Sequence, residues 1–252
     1  MERADKFLAE RFGSREKAAR AIKEGLVEVG GRKIKPSELI SEDDEITVLP
    51  HKSHVGRGAL KLEGAFERFD FEVKGKVCMD IGASTGGFTE VLLEHGAARV
   101  YAVDVGQGQL AQSLANDPRV VNLEKTDIRT LAPLEQKAEF FTADVSFISL
   151  KQVIPSVLTH CAPEGLVLIK PQFEYGRFPG KNGLLKDKKA HAEILKSMAV
   201  FLDQCGAGIA AIAESPITGG DGNREYIAYL KAGAAMPDMR MLELLAKGEK
   251  TV

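Results

Sequence analysis

Val77-Cys78-Met79-Asp80-Ile81-Gly82-Ala83-Ser84-Thr85-Gly86-Gly87-Phe88-Thr89 is the stretch that decides the fold of this chain. A short apolar run ending in an acid passes through a glycine-rich turn into the start of a helix. In an open α/β sheet, this first strand–helix crevice is where nucleotide-like ligands bind, because backbone N–H groups and a helix N-terminus are exposed there. The turn is not the dinucleotide fingerprint G-x-G-x-x-G, since the second glycine position counted from Gly82 holds Ser84.

Working outward, apolar runs recur at Val77 to Ile81, Val100 to Val105, Val120 to Leu123, Phe140 to Val145, Leu166 to Ile169, Ile209 to Ala213 and Tyr226 to Leu230. Helix-length segments separate most of them, which predicts a doubly wound α/β sheet. The last two runs are joined by a glycine-rich loop without an evident helix, so an antiparallel last pair is expected. Acids stand at successive strand ends. Asp80 places a carboxylate where a pyrophosphate would be repelled and an ammonium welcomed. Asp104, about 20 residues on, is placed for ribose hydroxyls, and Asp127 for an adenine amino group. S-adenosylmethionine, which carries an ammonium, a sulfonium and a ribose but no phosphate, fits this set. Gly82, Ser84, Gly86, Gly87 and Phe88 complete the candidate cofactor residues. Helix capping and turn formation are the plain alternative for the acids, most of all for Asp127.

The 252 residues carry 34 Lys+Arg and 36 Asp+Glu, a net charge of −2, with 44% hydrophobic residues. Those values exclude a disordered chain, a collagen-like repeat and a disulfide scaffold. No apolar stretch approaches the ~20 residues that span a bilayer, and Met1 to Lys6 shows no signal-peptide character. Cys78, Cys161 and Cys205 are odd in number and form no CxxC pair, so neither a disulfide framework nor a zinc site is expected. A cytoplasmic protein without a bound metal is the expectation.

Charge is uneven along the chain. Residues 1–37 hold ten basic and six acidic side chains, and Glu42 to Glu45 follow as an acidic turn. Phe7, Leu8 and Phe12 suit one amphipathic helix, and Ser14 suits the N-cap of a second that stops at Gly25. Leu26 to Val29, a Gly30-Gly31 turn, Lys33 to Pro36 and Glu45 to Leu49 read as strands. The pattern Arg3-Ala4-Asp5-Lys6-Phe7-Leu8, Ser14-Arg15-Glu16-Lys17-Ala18 and Ile22 to Gly31 resembles the S4 RNA-binding domain. The resemblance implies an RNA backbone as partner, met by Arg3, Lys6, Arg15, Lys17, Arg20 and Lys23 through charge and shape.

The acceptor is narrowed by what is missing. Asp144-Val145-Ser146-Phe147 lacks the prolines of the (D/N)PP(Y/F)-like motif of amino-group methyltransferases, and no cysteine is placed to attack a base. A hydroxyl acceptor remains. Lys61, Asp144, Lys170 and Glu225 each read singly as a charged strand end or helix face. Together they resemble the Lys-Asp-Lys-Glu tetrad of FtsJ-like RNA ribose 2′-O-methyltransferases, which implies a catalytic role for all four. Lys170 is then the candidate base or hydroxyl-steering group. Phe173 suits either stacking on an exposed base or core packing. Gly176 to Gly183, with Arg177 and Lys181, suits either a substrate loop or a plain surface excursion.

The whole order, an S4-like unit before an FtsJ-like one, resembles the TlyA/hemolysin A family. It is carried by Arg57 to Leu62, Asp80 to Phe88, Val103 to Gly106, Asp144 to Ser149, Ile169 to Glu174 and Gly222 to Tyr226. The resemblance implies a Rossmann-like methyltransferase sheet with an antiparallel last strand, preceded by a small α+β S4-like domain. Its expected divisions are residues 1–50, a linker over 51–57, and 58–252. It implies an S-adenosylmethionine-dependent ribosomal RNA 2′-O-methyltransferase acting on ribosomal subunits, with cytidine as acceptor. Some members carry an Arg-Ala-Trp-Val linker, where this chain has Lys52-Ser53-His54-Val55 without the aromatic. Two other classes compete: a non-catalytic RNA-binding or ribosome-assembly factor, and a membrane-lytic hemolysin for which Met236 to Leu245 is the candidate amphipathic segment.

Overall fold

A computed structural model describes residues 1–23, 25–49, 54–176 and 183–249, and the chain divides into two compact units, Met1–Ser53 and His54–Val252. The first unit comprises β1 (Glu2–Arg3), α1 (Ala4–Phe7), α2 (Ala9–Phe12), α3 (Arg15–Lys23), β2 (Val27–Val29), β3 (Arg32–Lys33), β4 (Leu39–Ile40) and β5 (Ile46–Val48). The single helix expected through Phe7, Leu8 and Phe12 is two short ones, because Leu8 leaves helical geometry at φ −89° and ψ 1°. Ser14 caps α3 as expected, its Oγ accepting the Lys17 N–H at 3.2 Å. The strands pair in the order β3-β2-β5, and β1 pairs with β4. Leu8, Ala18, Ile22, Val27, Ile34 and Ile40 fill the core between helices and strands.

The second unit contains α4 (Gly58–Phe66), β6 (Val77–Ile81), α5 (Gly87–Glu94), β7 (Arg99–Val103), α6 (Gln112–Ala115) and β8 (Val120–Leu123). A 3-10 turn at Ile128–Thr130 precedes β9 (Phe140–Ala143), α7 (Leu150–His160), β10 (Glu164–Ile169), α8 (Pro171–Glu174) and α9 (Lys188–Gln204). The unit closes with β11 (Gly208–Glu214), β12 (Tyr226–Lys231) and α10 (Met239–Lys247). The seven strands run in the order β11-β12-β10-β9-β6-β7-β8. Strands β6 to β10 pair with one another in parallel, whereas β12 is antiparallel to both β10 and β11. This is the expected α/β class with its reversed last strand.

Alternation of side chains explains why the strands are apolar throughout. Val77, Met79 and Ile81 of β6, with Val167 and Ile169 of β10, join a cluster with Ile154, Leu195, Met198 and Leu242 of α7, α9 and α10. Cys78, Leu166 and Leu168 point the other way, into a cluster with Leu62 of α4 and Val91 and Leu92 of α5. Both faces of the sheet are therefore covered. Burial pushes the thiols of Cys78 and Cys161 up to about 12, so they pack as small apolar groups rather than as nucleophiles. The Met236 to Leu245 segment contributes its apolar face to this core: Leu242, Leu245 and Ala246 of α10 are buried.

Two expected regions fall partly outside the described residues: Lys52 and Ser53 of the linker, and Arg177 and Lys181 of the Gly176 to Gly183 loop. His54 and Val55, expected in the linker, belong to the second unit. The Glu90 carboxylate of α5 accepts the Val55 N–H at 3.1 Å and lies 2.9 Å from the His54 ring.

Candidate active site

The parallel strands β6, β9 and β10 end at one edge of the sheet, and β12, running against them, begins there. Ile81 pairs with Ala143, and Ile169 pairs with Tyr226. Glu225, Lys170, Asp144 and Gly82, each one residue beyond a strand, therefore follow one another along this edge. Leu166 and Leu168 face α4 and α5, and Lys170 continues that phase toward Lys61 on α4. In this way the topology gathers residues that lie far apart in the chain.

All four charged residues meet. Lys61 Nζ is 2.7 Å from Glu225 Oε2 and 3.1 Å from Asp144 Oδ2. Lys170 Nζ is 2.6 Å from Asp144 Oδ1 and donates to Ser146 Oγ at 2.9 Å. Lys61, Lys170 and Glu225 are buried. Ionised groups tolerate such burial only when each finds an opposite charge. Burial works against the Lys61 ammonium, yet Asp144 and Glu225 hold its pKa above the ordinary lysine value. Burial likewise opposes the Asp144 carboxylate, yet Lys170 and Lys61 keep its pKa below the usual range. Two cations and two anions thus form one balanced cluster.

A cavity of about 380 Å³ opens over this cluster, with Arg57, Asp221, Gln172 and Phe173 also on its walls. A second cavity of about 700 Å³ lies beside it, lined by Ile81, Val103, Asp104, Asp127, Ile128 and Val145 among others. The two share Gly82, Ser84, Asp144, Ser146 and Phe147. The two cavities therefore adjoin at this wall.

The lining of the larger cavity bears on the expected cofactor. Asp104 Oδ2 accepts the Ser84 N–H at 2.8 Å, and its Oδ1 accepts the Gly106 N–H at 2.7 Å. The carboxylate is thereby fixed at the cavity wall. Gly82 has φ +81°, and a Cβ there would lie 2.7 Å from the Asp144 carbonyl, so only glycine lets the β6 and β9 ends approach so closely. Gly86 starts α5 from a left-handed conformation, while Gly87 and Phe88 line the smaller cavity. Of the cations, Arg129 lines the larger cavity and is already paired with Asp127 at 2.6 Å. Apolar walls, a fixed carboxylate and a neutralised cation fit a nucleoside without phosphates, as S-adenosylmethionine is.

Three cofactor expectations change, the first being Gly86, which lines neither cavity and lies against the side chains of Leu110 and Leu114. Asp80 lines neither cavity: it is wholly buried, its two oxygens accepting hydrogen bonds from Thr89 Oγ1 at 2.8 Å and Thr142 Oγ1 at 2.9 Å. The cause is the pleat, which turns Asp80 into the same face as Cys78, toward α5. Asp127 does line the larger cavity, but its carboxylate serves first as a cap, accepting the Arg129 N–H at 2.9 Å. The hydrogen bonds from Arg129 hold its pKa below the usual range.

Sequence reasoning missed Ser146 and Phe147. Phe147 is 90% exposed, has φ +64° and sets its ring 5.2 Å from that of Phe173. A bulky residue in the left-handed region costs roughly 1–2 kcal/mol, and such strain concentrates at functional sites. Glu174 braces this loop, accepting the Leu150 N–H at 2.7 Å and a hydrogen bond from Ser149 Oγ. No sequence signal marks the positive φ.

In the first unit, Arg3 and Arg15 converge on the buried Asp5, at 2.9 and 3.2 Å. The Arg3 hydrogen bond is the main cause that lowers the Asp5 pKa to about 2. Lys6 pairs with Glu2 at 2.6 Å, and Lys17 and Lys23 are exposed. The side chain of Arg20 lies outside the described residues.

Comparison with known proteins agrees with this layout. Residues 54–232 match the profile of the FtsJ-like methyltransferases, and residues 2–46 match the S4 domain. YqxC of Bacillus subtilis (strain 168) is 42% identical over all of this chain and 95% of its own length. The 16S/23S rRNA (cytidine-2′-O)-methyltransferase TlyA of Mycobacterium tuberculosis (strain ATCC 25618 / H37Rv) is 43% identical over 86% of this chain and 84% of its own. A solved structure from Streptococcus thermophilus that carries a hemolysin name superposes with a TM-score of 0.74 at 36% identity, covering 98% of this chain and 94% of its own.

Proposed function

The chain belongs to the FtsJ-like methyltransferase family, with an S4 domain ahead of the catalytic fold, and from that premise we propose that it methylates the ribose 2′-hydroxyl of a cytidine in ribosomal RNA, within a ribosomal subunit in the cytoplasm. The observation that carries the proposal is the Lys61–Asp144–Lys170–Glu225 cluster, which sits under one cavity that shares a wall with a second, larger one.

S-adenosylmethionine, when bound, supplies an electrophilic methyl group on a sulfonium. Asp104 would hold its ribose, Ile81, Val103, Ile128 and Val145 its adenosine end, and Gly82 and Ser84 the part at the shared wall. The protein's own task is to bring a sugar oxygen in line at roughly 3–3.5 Å and to manage its proton. Lys170 meets that oxygen: as an ammonium its Nζ donates to the hydroxyl and steers a lone pair toward the methyl group, the hydroxyl proton passing to solvent as the new C–O bond forms. It acts as the base only in its neutral form. Asp144 holds Lys170 and Lys61 with one oxygen each, and Glu225 anchors Lys61 from the other side, so the cluster keeps its geometry while charge moves. Phe147 and Phe173 present two ring faces above the site, suited to stacking a base that has left its helix. Arg3, Lys6, Arg15, Lys17 and Lys23 supply phosphate contacts from the S4 domain.

Methyl transfer from labelled S-adenosylmethionine to ribosomal subunits tests the reading. Wild-type protein is expected to label them and Lys170→Ala to lose that activity while keeping cofactor affinity; equal labelling removes Lys170 from the chemistry. For the hemolysin reading, the α10 face that would enter a membrane is spent on packing through Leu242, Leu245 and Ala246, and no described helix is long and apolar enough to cross one.

A further inference from the structure

The Lys170 ammonium is ion-paired with Asp144 Oδ1 at 2.6 Å and donates a hydrogen bond to Ser146 Oγ at 2.9 Å. Asp144 alone does not fix the direction of the amine, because an ion pair leaves the Lys170 terminus free to rotate and Asp144 is shared with Lys61 at 3.1 Å. A second acceptor at a different bearing removes that freedom. Ser146 is that acceptor. It stands on the wall common to both cavities, beside Phe147, whose left-handed φ of +64° sets the course of the loop.

We propose that Ser146 is a positioning residue for methyl transfer: its Oγ fixes the Lys170 amine so that a remaining N–H or lone-pair direction faces the acceptor hydroxyl. The inference rests on the ribose-methylation reading of the site. Ser146 belongs to no strand or helix and is itself exposed, so it has little packing duty and its truncation leaves the fold intact. The interaction acts on turnover rather than on binding, because misplacing a reacting group by about 1 Å can cost on the order of 100-fold.

The test uses full-length protein, labelled S-adenosylmethionine and ribosomal subunits purified from cells lacking this protein. Ser146→Ala is expected to lower kcat roughly 10- to 100-fold. KM for the subunits and the dissociation constant for S-adenosylhomocysteine should stay within about twofold, the signature of an interaction realised only in the transition state. Ser146→Thr, which keeps a hydroxyl, should recover most of the rate. Wild-type kcat in Ser146→Ala overturns the assignment. So does a change confined to KM or cofactor affinity, or a loss of kcat that Ser146→Thr does not recover. Lys170→Ala is measured alongside: if it stays active, the reading of the whole site fails, whereas its inactivity beside a fully active Ser146→Ala sinks only the role of Ser146.

Discussion

Lys170 Nζ lies 2.6 Å from Asp144 Oδ1, and the second oxygen of that carboxylate is 3.1 Å from Lys61 Nζ. One anion therefore binds two cations together. Asp144→Asn keeps the shape but leaves the buried Lys170 without its carboxylate and Lys61 with Glu225 alone. Removing one partner from such a cluster typically costs about 3–5 kcal/mol when burial is complete. A loss toward the lower end is expected here, visible in thermal or urea unfolding, with methyl transfer reduced at least ~100-fold. Wild-type activity in Asp144→Asn would show that the bridge has no part in turnover.

Asp80 gives a pH signature. Burial is the main cause that pushes its pKa up to about 6, against the hydrogen bonds from Thr89 and Thr142. Because the folded value is above the unfolded one of about 4, the acid form fits the fold and the anion strains it. Its contribution is complete below about pH 4 and is lost as pH rises through about 6. Asp80→Asn, which stays neutral, should raise stability at pH 8 by about 1–3 kcal/mol and change little at pH 4, with cofactor affinity preserved. Denaturant titrations at the two pH values check the sign. A fall in cofactor affinity would mean that Asp80 reaches the ligand after all.

Phe147 should separate stability from function. Glycine accepts φ +64° without strain, so Phe147→Gly is expected to leave stability unchanged or raise it by up to ~1 kcal/mol. Losing the ring opposite Phe173 should at the same time raise KM for the RNA substrate, because stacking a base is worth about 1–3 kcal/mol. Unfolding curves and steady-state kinetics read the two effects independently. A destabilised variant with unaltered kinetics would make the ring a structural element.

Asp5 sets the acid limit of the S4 domain. Hydrogen bonds from Arg3 and Arg15 help lower its pKa to about 2, below the unfolded value of about 4. The stability it adds is complete above about pH 4 and disappears as pH falls toward 2. Asp5→Asn should therefore flatten the acid dependence of this unit's unfolding. It should also weaken RNA binding, although it removes a negative charge, because Arg3 and Arg15 lose their common anchor. Tighter RNA binding by the variant would show that the charge matters and the anchoring does not.

Much of this arrangement was legible beforehand. The apolar runs located β6 to β12 within a residue or two, because strands buried on both faces leave continuous hydrophobic stretches. Lys61, Asp144, Lys170 and Glu225 were named through family resemblance, and the topology explains why such distant positions meet at one sheet edge. Asp80 was misplaced because strand phase decides between a cavity wall and a core face, and the sequence does not show how far the strand extends past its acid. The break at Leu8, the left-handed Phe147 and the hydroxyl at Ser146 were invisible for a related reason: backbone angles and loop paths are set by tertiary contacts that leave no periodic trace. Glu90, which draws His54 and Val55 into the second unit, likewise reads as an ordinary helix acid until its partners are seen.

The most direct measurement is the position and chemistry of the mark. Ribosomal subunits from cells lacking the protein are incubated with S-adenosylmethionine and either wild-type protein or Lys170→Ala, and the RNA is then mapped for alkali-resistant linkages. The prediction is a ribose-methylated cytidine with wild type and none with Lys170→Ala. A methyl group on a base, or the same ribose mark from both proteins, would contradict the assignment.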